Sequence, residues 1–235
     1  MTSVGDSINA ENASWTFDGE IVSSFEEHVS KSVPYYKDGH KLICSISDFF
    51  IVGESICYEL GCSTGLLSYK LAKHHGVSKG RFVGIDSVSK MIEYARKNYS
   101  RENLEFQYED ALTFPYEQTD YVVCYYMLQF VHPSVRQEVV NKIYSSLRWG
   151  GGFICFEKVR APDARFQDIN ALLYNDFKID KGYTPEEIVA KSRSLKGILE
   201  PFSTQGNLDL FRRAGFRDIC SVFKYLCFEG FLCIK

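Results

Sequence analysis

Residues 55–65 read SICYELGCSTG. Apolar residues lead to an acid at Glu59, and the stretch closes on Gly61-Cys62-Ser63-Thr64-Gly65. A helix-like run, 66–75, follows. That order spells a buried strand, a tight turn and a helix. Glycine at both ends of the turn lets the backbone pass close to a ligand. The first N–H groups of the next helix have no partner within it and point into the same space. The stretch predicts a ligand turn, with the rest of the chain as a sheet and helices built around it.

Working downstream, 81–85 reads as a second strand ending in Asp86, and 89–98 as a helix. A third strand, 104–108, runs into Glu109-Asp110, and 121–126 is a fourth. The helix 133–147 is stopped by Trp149-Gly150-Gly151-Gly152, before a fifth strand, 153–156, ending at Glu157. Such alternation predicts a parallel sheet with helices on both faces. Residues 160–200 break the rhythm with two helix-like runs, 163–177 and 185–199, expected as an insertion over the strand ends. A helix at 208–214 closes on Gly215, and 218–225 and 230–234 form an antiparallel hairpin at the sheet edge.

Upstream, 1–14 is expected to be a disordered tail, leaving 15–235 as one domain. Ile21, Val22, Phe25 and Val29 mark one helical face, broken at Val33-Pro34-Tyr35-Tyr36. Leu42, Ile43, Ile46, Phe49 and Phe50 mark a second helix. Both are expected to cap the ligand pocket. The fold class is therefore α/β, with a seven-stranded, mostly parallel sheet.

Composition narrows the classes. The chain has 235 residues, 45% hydrophobic and 24% charged, as in a globular domain with a sizeable core. A net charge of −3 without a basic run argues against a broad nucleic-acid face. None of the eight cysteines forms C-x-x-C, so no metal site is expected, and reduced thiols in the cytoplasm are. The first residues lack an apolar signal core, and the longest apolar run, 121–131, is too short to span a bilayer.

Three chemistries compete for the glycine turn. Gly61-Cys62-Ser63-Thr64-Gly65 matches the G-x-S-x-G of a hydrolase, but the triad histidine must come late, and the last histidine is His132. A dinucleotide site needs glycine where Ser63 stands and a small residue at Leu66. S-adenosylmethionine (SAM) fits better. Asp86, 21 positions beyond Gly65, can take both ribose hydroxyls from the neighbouring strand end. Asp110 can accept from the adenine amino group, and Gly61 admits the amino-acid part. Singly, each acid could equally be a helix cap or a solvated turn residue. Glu59, Gly61, Gly65, Asp86 and Asp110 at successive strand ends, followed by the terminal hairpin, point to SAM together.

At this point the chain resembles a class I SAM-dependent methyltransferase, with its Rossmann-like sheet. More narrowly, it resembles the bacterial carboxy-SAM synthase family, which acts before wobble-uridine modification of tRNA. The resemblance covers 15–235 and rests on Trp15-Thr16-Phe17-Asp18, Ser32-Val33-Pro34, Gly61-Cys62-Ser63 and Leu128-Gln129-Phe130. It continues through Arg136-Gln137, Glu157-Lys158, Asn175-Asp176-Phe177-Lys178, Gly182-Tyr183 and Ala214-Gly215-Phe216. It implies that Tyr36 contacts SAM, that Gly61, Cys62 and Ser63 line its amino-acid end, that Asp86 and Ser87 hold the ribose, and Asp110 and Ala111 the adenine. It further implies prephenate as carboxyl donor, a sulfonium ylide that captures carbon dioxide, and an arginine on the insertion helix that binds the new carboxylate. Here the chain departs. Tyr125 stands where the family has a SAM-contacting asparagine, and Ser192 where it has that arginine, with Arg193 one place later. One residue is about 100° of helix.

The sequence therefore puts methyl transfer to a small-molecule acceptor first. Carboxy-SAM synthesis from SAM and prephenate is the alternative, and a non-catalytic SAM-binding module is a third class. The cofactor is SAM, or S-adenosylhomocysteine or carboxy-SAM in its place. Arg193, Tyr125, His132 and Glu157 are the catalytic candidates; against this, His132 can be a loop residue, Glu157 can pair with Lys158 or Arg160, and Tyr125 can be packing. No nucleic-acid or membrane partner is expected, and a homodimer is left open.

Overall fold

The structure, a computed structural model, describes residues 2–5, 8–18 and 21–235. Strands β1 (Thr2–Ser3) and β2 (Asn9–Ala10) precede helices α1 (Ile21–Ser32) and α2 (Tyr36–Ser47). Then come β3 (Ile56–Leu60), α3 (Leu66–His75), β4 (Arg81–Asp86), α4 (Ser89–Asn98), β5 (Leu104–Tyr108) and β6 (Thr119–Tyr125). A 3-10 turn, Leu128–Phe130, leads to α5 (Pro133–Ser146) and β7 (Leu147–Lys158). The chain ends with α6 (Ala164–Asp180), α7 (Pro185–Ser194), α8 (Thr204–Ala214), β8 (Asp218–Tyr225) and β9 (Phe228–Ile234).

The seven-stranded sheet has the order β5-β4-β3-β6-β7-β9-β8. β3 pairs in parallel with β4 and β6, and the antiparallel β9 joins β7 to β8. Strand residues alternate between two cores, because successive side chains leave opposite faces. Tyr58, Leu60, Val122 and Cys124 pack against α5 and α8 through Val139, Ile143, Leu210 and Phe211. Cys57, Tyr121 and Val123 pack against α2 and α3 through Ile43, Leu67 and Leu71. Covered on both faces, β6 has four consecutive residues, 121–124, fully buried.

Several expectations need correction. Within the expected disordered tail, the described residues form a β1–β2 hairpin, Thr2 opposite Ala10 and Ser3 opposite Asn9. Val4 is fully buried in a cluster with Trp15, Ile21, Val22 and Met91, and this apolar anchor ties the segment down. The backbone N–H of Ala13 and of Trp15 donate to the carbonyls of Arg193 and Ser194, so the segment is strapped to the end of α7. The glycine run 150–152 is not a helix stop. α5 ends at Ser146, β7 starts at Leu147, and its register with β6 jumps from Thr119–Leu147 to Tyr121–Gly152. Phe49 lies beyond α2 and is 84% exposed, so it is no part of the helix stripe. α7 starts on a capping box between Thr184 and Glu187, with Pro185 at its first turn, as its sequence favours. Among the described residues no helix is long and apolar enough to cross a membrane.

Candidate active site

β3 lies between β4 and β6, where the chain's winding direction reverses, and ligands bind beyond the strand ends at such a point. A cavity of about 500 Å³ opens there, within the range of small-molecule sites. Its first wall is the turn after β3. The N–H groups of Gly61 and Cys62 donate to the Ile85 carbonyl at 2.8 and 3.0 Å, which straps the turn to the end of β4. Gly61 has φ +70°, and a Cβ there would collide with Met127. Ser63 takes φ +49° and donates its N–H to Asp86 Oδ2 at 2.9 Å. The second carboxylate oxygen of Asp86 accepts from Val88 N–H at 2.9 Å. Each oxygen keeps a lone pair for a ligand. Burial raises the Asp86 pKa, and the backbone donors oppose it. Ser87 continues the wall, and Asp110 and Ala111 face the same cavity beyond β5. Gly65, expected to bind the ligand, is not in the wall; at φ +84° it starts α3, and a Cβ would collide with Phe106 and Ala95. Its smallness serves helix packing.

Glu59 reaches the cavity from β3 and is 4% exposed. The Ser68 hydroxyl donates to it, and burial pushes its pKa up to about 8. An acid whose native pKa lies above its unfolded value takes stability away as pH rises from the unfolded value through the native one. Glu59→Gln removes that ionisation. Thermal melts across roughly pH 5 to 9 should show the variant gaining on the wild type as pH rises through about 8. Parallel pH profiles would contradict this account of Glu59.

Tyr36 and Tyr125 pack in the wall with ring centroids 5.1 Å apart. The Tyr125 hydroxyl donates to the Tyr36 carbonyl at 2.6 Å, and its ring occupies the space a Cβ on Gly39 would need. Burial holds the Tyr125 pKa well above its ordinary value, which keeps its hydroxyl protonated as the donor to the Tyr36 carbonyl. Tyr126 beside it takes φ +60°, a conformation rare for a bulky residue. His132 also lines the cavity, while its Nδ1 accepts from Ser134 N–H as the cap of α5.

Two catalytic candidates fall outside the cavity. Glu157 is 1% exposed and lies behind the wall, where burial pushes its pKa up to about 8 against Arg136 and the Leu128 and Gln129 N–H groups. Its counter-charge is Arg136, not Lys158 or Arg160. Arg193 is exposed and borders a shallow groove with residues 10–12, because α7 turns its neighbours inward instead. Ile188, Lys191 and Ser192 face the cavity from α7, the spacing of one helical face, and Leu195 and Leu199 join them from the turns beyond it. That periodicity identifies Lys191, which the sequence analysis missed. Lys191 Nζ donates to Ser32 Oγ at 2.9 Å and bonds the His28 ring. Lys158, Tyr174 and Lys178 were missed too, although Glu157-Lys158 and Asn175-Asp176-Phe177-Lys178 carried the resemblance.

The sheet order separates the charges. Glu59, Asp86 and Asp110 stand at the ends of β3, β4 and β5, and Lys158 stands at the end of β7. The first group suits a nucleoside with an ammonium group, and the second an anion. Asp48, His74 and His75 form a separate surface group of metal-ligand types, and none of them lines the cavity.

Comparisons with known proteins agree with this geometry. A family described as "Methyltransferase domain" matches residues 58–151. A carboxy-S-adenosyl-L-methionine synthase of Staphylococcus epidermidis is 33% identical, covering 97% of this chain and 100% of that protein. One from Campylobacter fetus is 35% identical over 93% of this chain and 94% of its own. Among solved structures, human N-acetylserotonin methyltransferase in complex with SAM superposes with a TM-score of 0.62 at 15% identity, covering 92% of this chain and 55% of that one. At that identity the likeness shows the fold.

Proposed function

We propose, from the premise that this chain belongs to the carboxy-S-adenosyl-L-methionine synthase family of SAM-dependent transferases, that it makes carboxy-SAM from SAM with prephenate as carboxyl donor. The observation that carries this reading is on α7: Lys191 and Ser192 face the cavity, and Arg193 does not. A carboxylate in an enclosed site needs a cationic or multiply hydrogen-bonded partner. Lys191 supplies a cation one place before Ser192, where the resemblance implies an arginine, and this moves carboxylation ahead of methyl transfer.

SAM supplies a methyl carbon made acidic by the adjacent sulfonium. The protein's residues bind, orient and exclude water. Asp86 and Ser87 would take the ribose, Asp110 and Ala111 the adenine, and Gly61, Cys62 and Ser63 the amino-acid end, with Tyr36 and Tyr125 closing the wall. Lys191, already fixed by His28 and Ser32, would hold the new carboxylate. His132 on the wall keeps methyl transfer to a protic acceptor as a second reading, because such an acceptor needs a base. We place the protein in the cytoplasm, supported by eight free thiols, and expect no contact with nucleic acid. Exposed Phe166, Ile169 and Leu172 on α6 support pairing with a second copy.

Incubation with SAM and prephenate, read by mass spectrometry, tests the reading. Wild type and Arg193→Ala should form carboxy-SAM, and Lys191→Met should lose at least about tenfold in rate while still binding SAM. No product from wild type with SAM bound would return methyl transfer to first place.

A further inference from the structure

Lys158 at the end of β7 and Lys178 on α6 both line the cavity. Each Nζ lies 4.4 Å from the centre of the Tyr174 ring. Tyr174 is fixed, because its hydroxyl donates to the Ser32 carbonyl at 2.8 Å. Lys178 is only 7% exposed and Lys158 is half-buried. Among the described residues neither ammonium group has a carboxylate partner or a hydrogen-bond acceptor. A ring face attracts a cation, but two cations on one ring repel each other and both have left water. Burial lowers the pKa of both lysines, and the charge on Lys158 helps to push Lys178 down to about 8. An anion entering between them relieves both costs. The apolar neighbours Phe228 and Tyr126, packed on each other and, through Phe228, on Tyr174, offer a surface for an unsaturated ring.

We infer that Lys158, Lys178 and Tyr174 form the binding subsite for a carboxylate of the second substrate, an unsaturated organic acid, distinct from the Lys191 position. This rests on the proposed function for the donor's identity, but the geometry of the pair does not depend on it. Each lysine contributes a charge-assisted hydrogen bond, so each removal should weaken binding about 10- to 100-fold.

The test is calorimetry of protein loaded with S-adenosylhomocysteine, which has no methyl group to react. Prephenate is the first probe and phthalate, an aromatic dicarboxylate, the second. Wild type should bind prephenate. Lys158→Met and Lys178→Met should each weaken that binding by the stated factor without changing S-adenosylhomocysteine affinity. Lys178→Arg should retain it within about threefold. Melting should hold steady or rise in Lys178→Met, since a buried repulsion is removed; a structural role would lower it. Equal prephenate binding by wild type and both Met variants overturns the subsite and leaves the proposed function standing. If wild type ignores prephenate but binds phthalate through these lysines, the proposed function fails and the subsite stands. Binding of neither probe overturns the subsite.

Discussion

Asp86→Ala will lower SAM affinity by at least about a hundredfold. The two ribose hydroxyls lose a charged acceptor, and each such hydrogen bond contributes roughly 1.5–3 kcal/mol. Two together exceed about 3 kcal/mol, which is more than a hundredfold. The loss compounds, because Asp86 also accepts the N–H groups of Ser63 and Val88 at 2.9 Å. Without it, Ser63 loses the bond that offsets its left-handed conformation, and only the Gly61 and Cys62 N–H groups on the Ile85 carbonyl still hold the turn to β4. Asp86→Asn keeps the shape and drops the charge, so it should fall between wild type and alanine. Titration calorimetry decides. An alanine variant within about threefold of wild type would show that the ribose lies elsewhere.

Arg136→Met should be the most destabilising of the substitutions considered. Arg136 is 1% exposed, yet its guanidinium donates to the Val131 carbonyl at 2.7 Å and the Glu200 carbonyl at 3.1 Å. It also lies 4.2 Å over the Phe202 ring and offsets the charge of buried Glu157. Methionine fills the space, leaves both carbonyls without a donor and takes away the positive charge that eases ionisation of Glu157. Leaving two part-buried carbonyls without their donor costs about 1–3 kcal/mol each, or roughly 10 °C together in melting temperature for a chain of this size. The pH sign is fixed. Glu157 has a native pKa above its unfolded value even with Arg136 present, and losing the arginine raises it further. The deficit should therefore widen as pH rises past about 8. Adding Glu157→Gln should recover part of it, a coupling that a double-mutant cycle measures. A loss below about 1 kcal/mol would mean that the Val131 and Glu200 carbonyls do not depend on Arg136.

The central strands β3, β4 and β6 were legible because they are buried on both faces and read as continuous apolar runs between turns. The acids at the strand ends were legible too, since each ends such a run. Periodicity points to Lys191, one turn beyond Ile188 on the same face, whereas Arg193 leaves that face. Glu157 misled for a physical reason. A strand's side chains alternate, so Lys158 faces the cavity while Glu157 turns behind the wall, and sequence does not say which parity wins. The burial of Val4 was not legible, because it is a single apolar residue in a polar run, and only Trp15 and Met91 in space give it a place to bury.

The cavity wall draws on residues 15–36 and on 158–199, two segments that flank the central strands from opposite ends of the chain. A nascent chain can pair β3 with β4 and β6 before 158–199 has been made, and a refolding chain before either segment docks, so a structured sheet and a competent site are separate kinetic milestones. Contacts so distant in sequence close late, because the loop entropy is spent before they reward it. Ligand binding would then report the last step of folding, and a saturating nucleoside would slow unfolding by holding the N-terminal helices and the 158–199 segment in place.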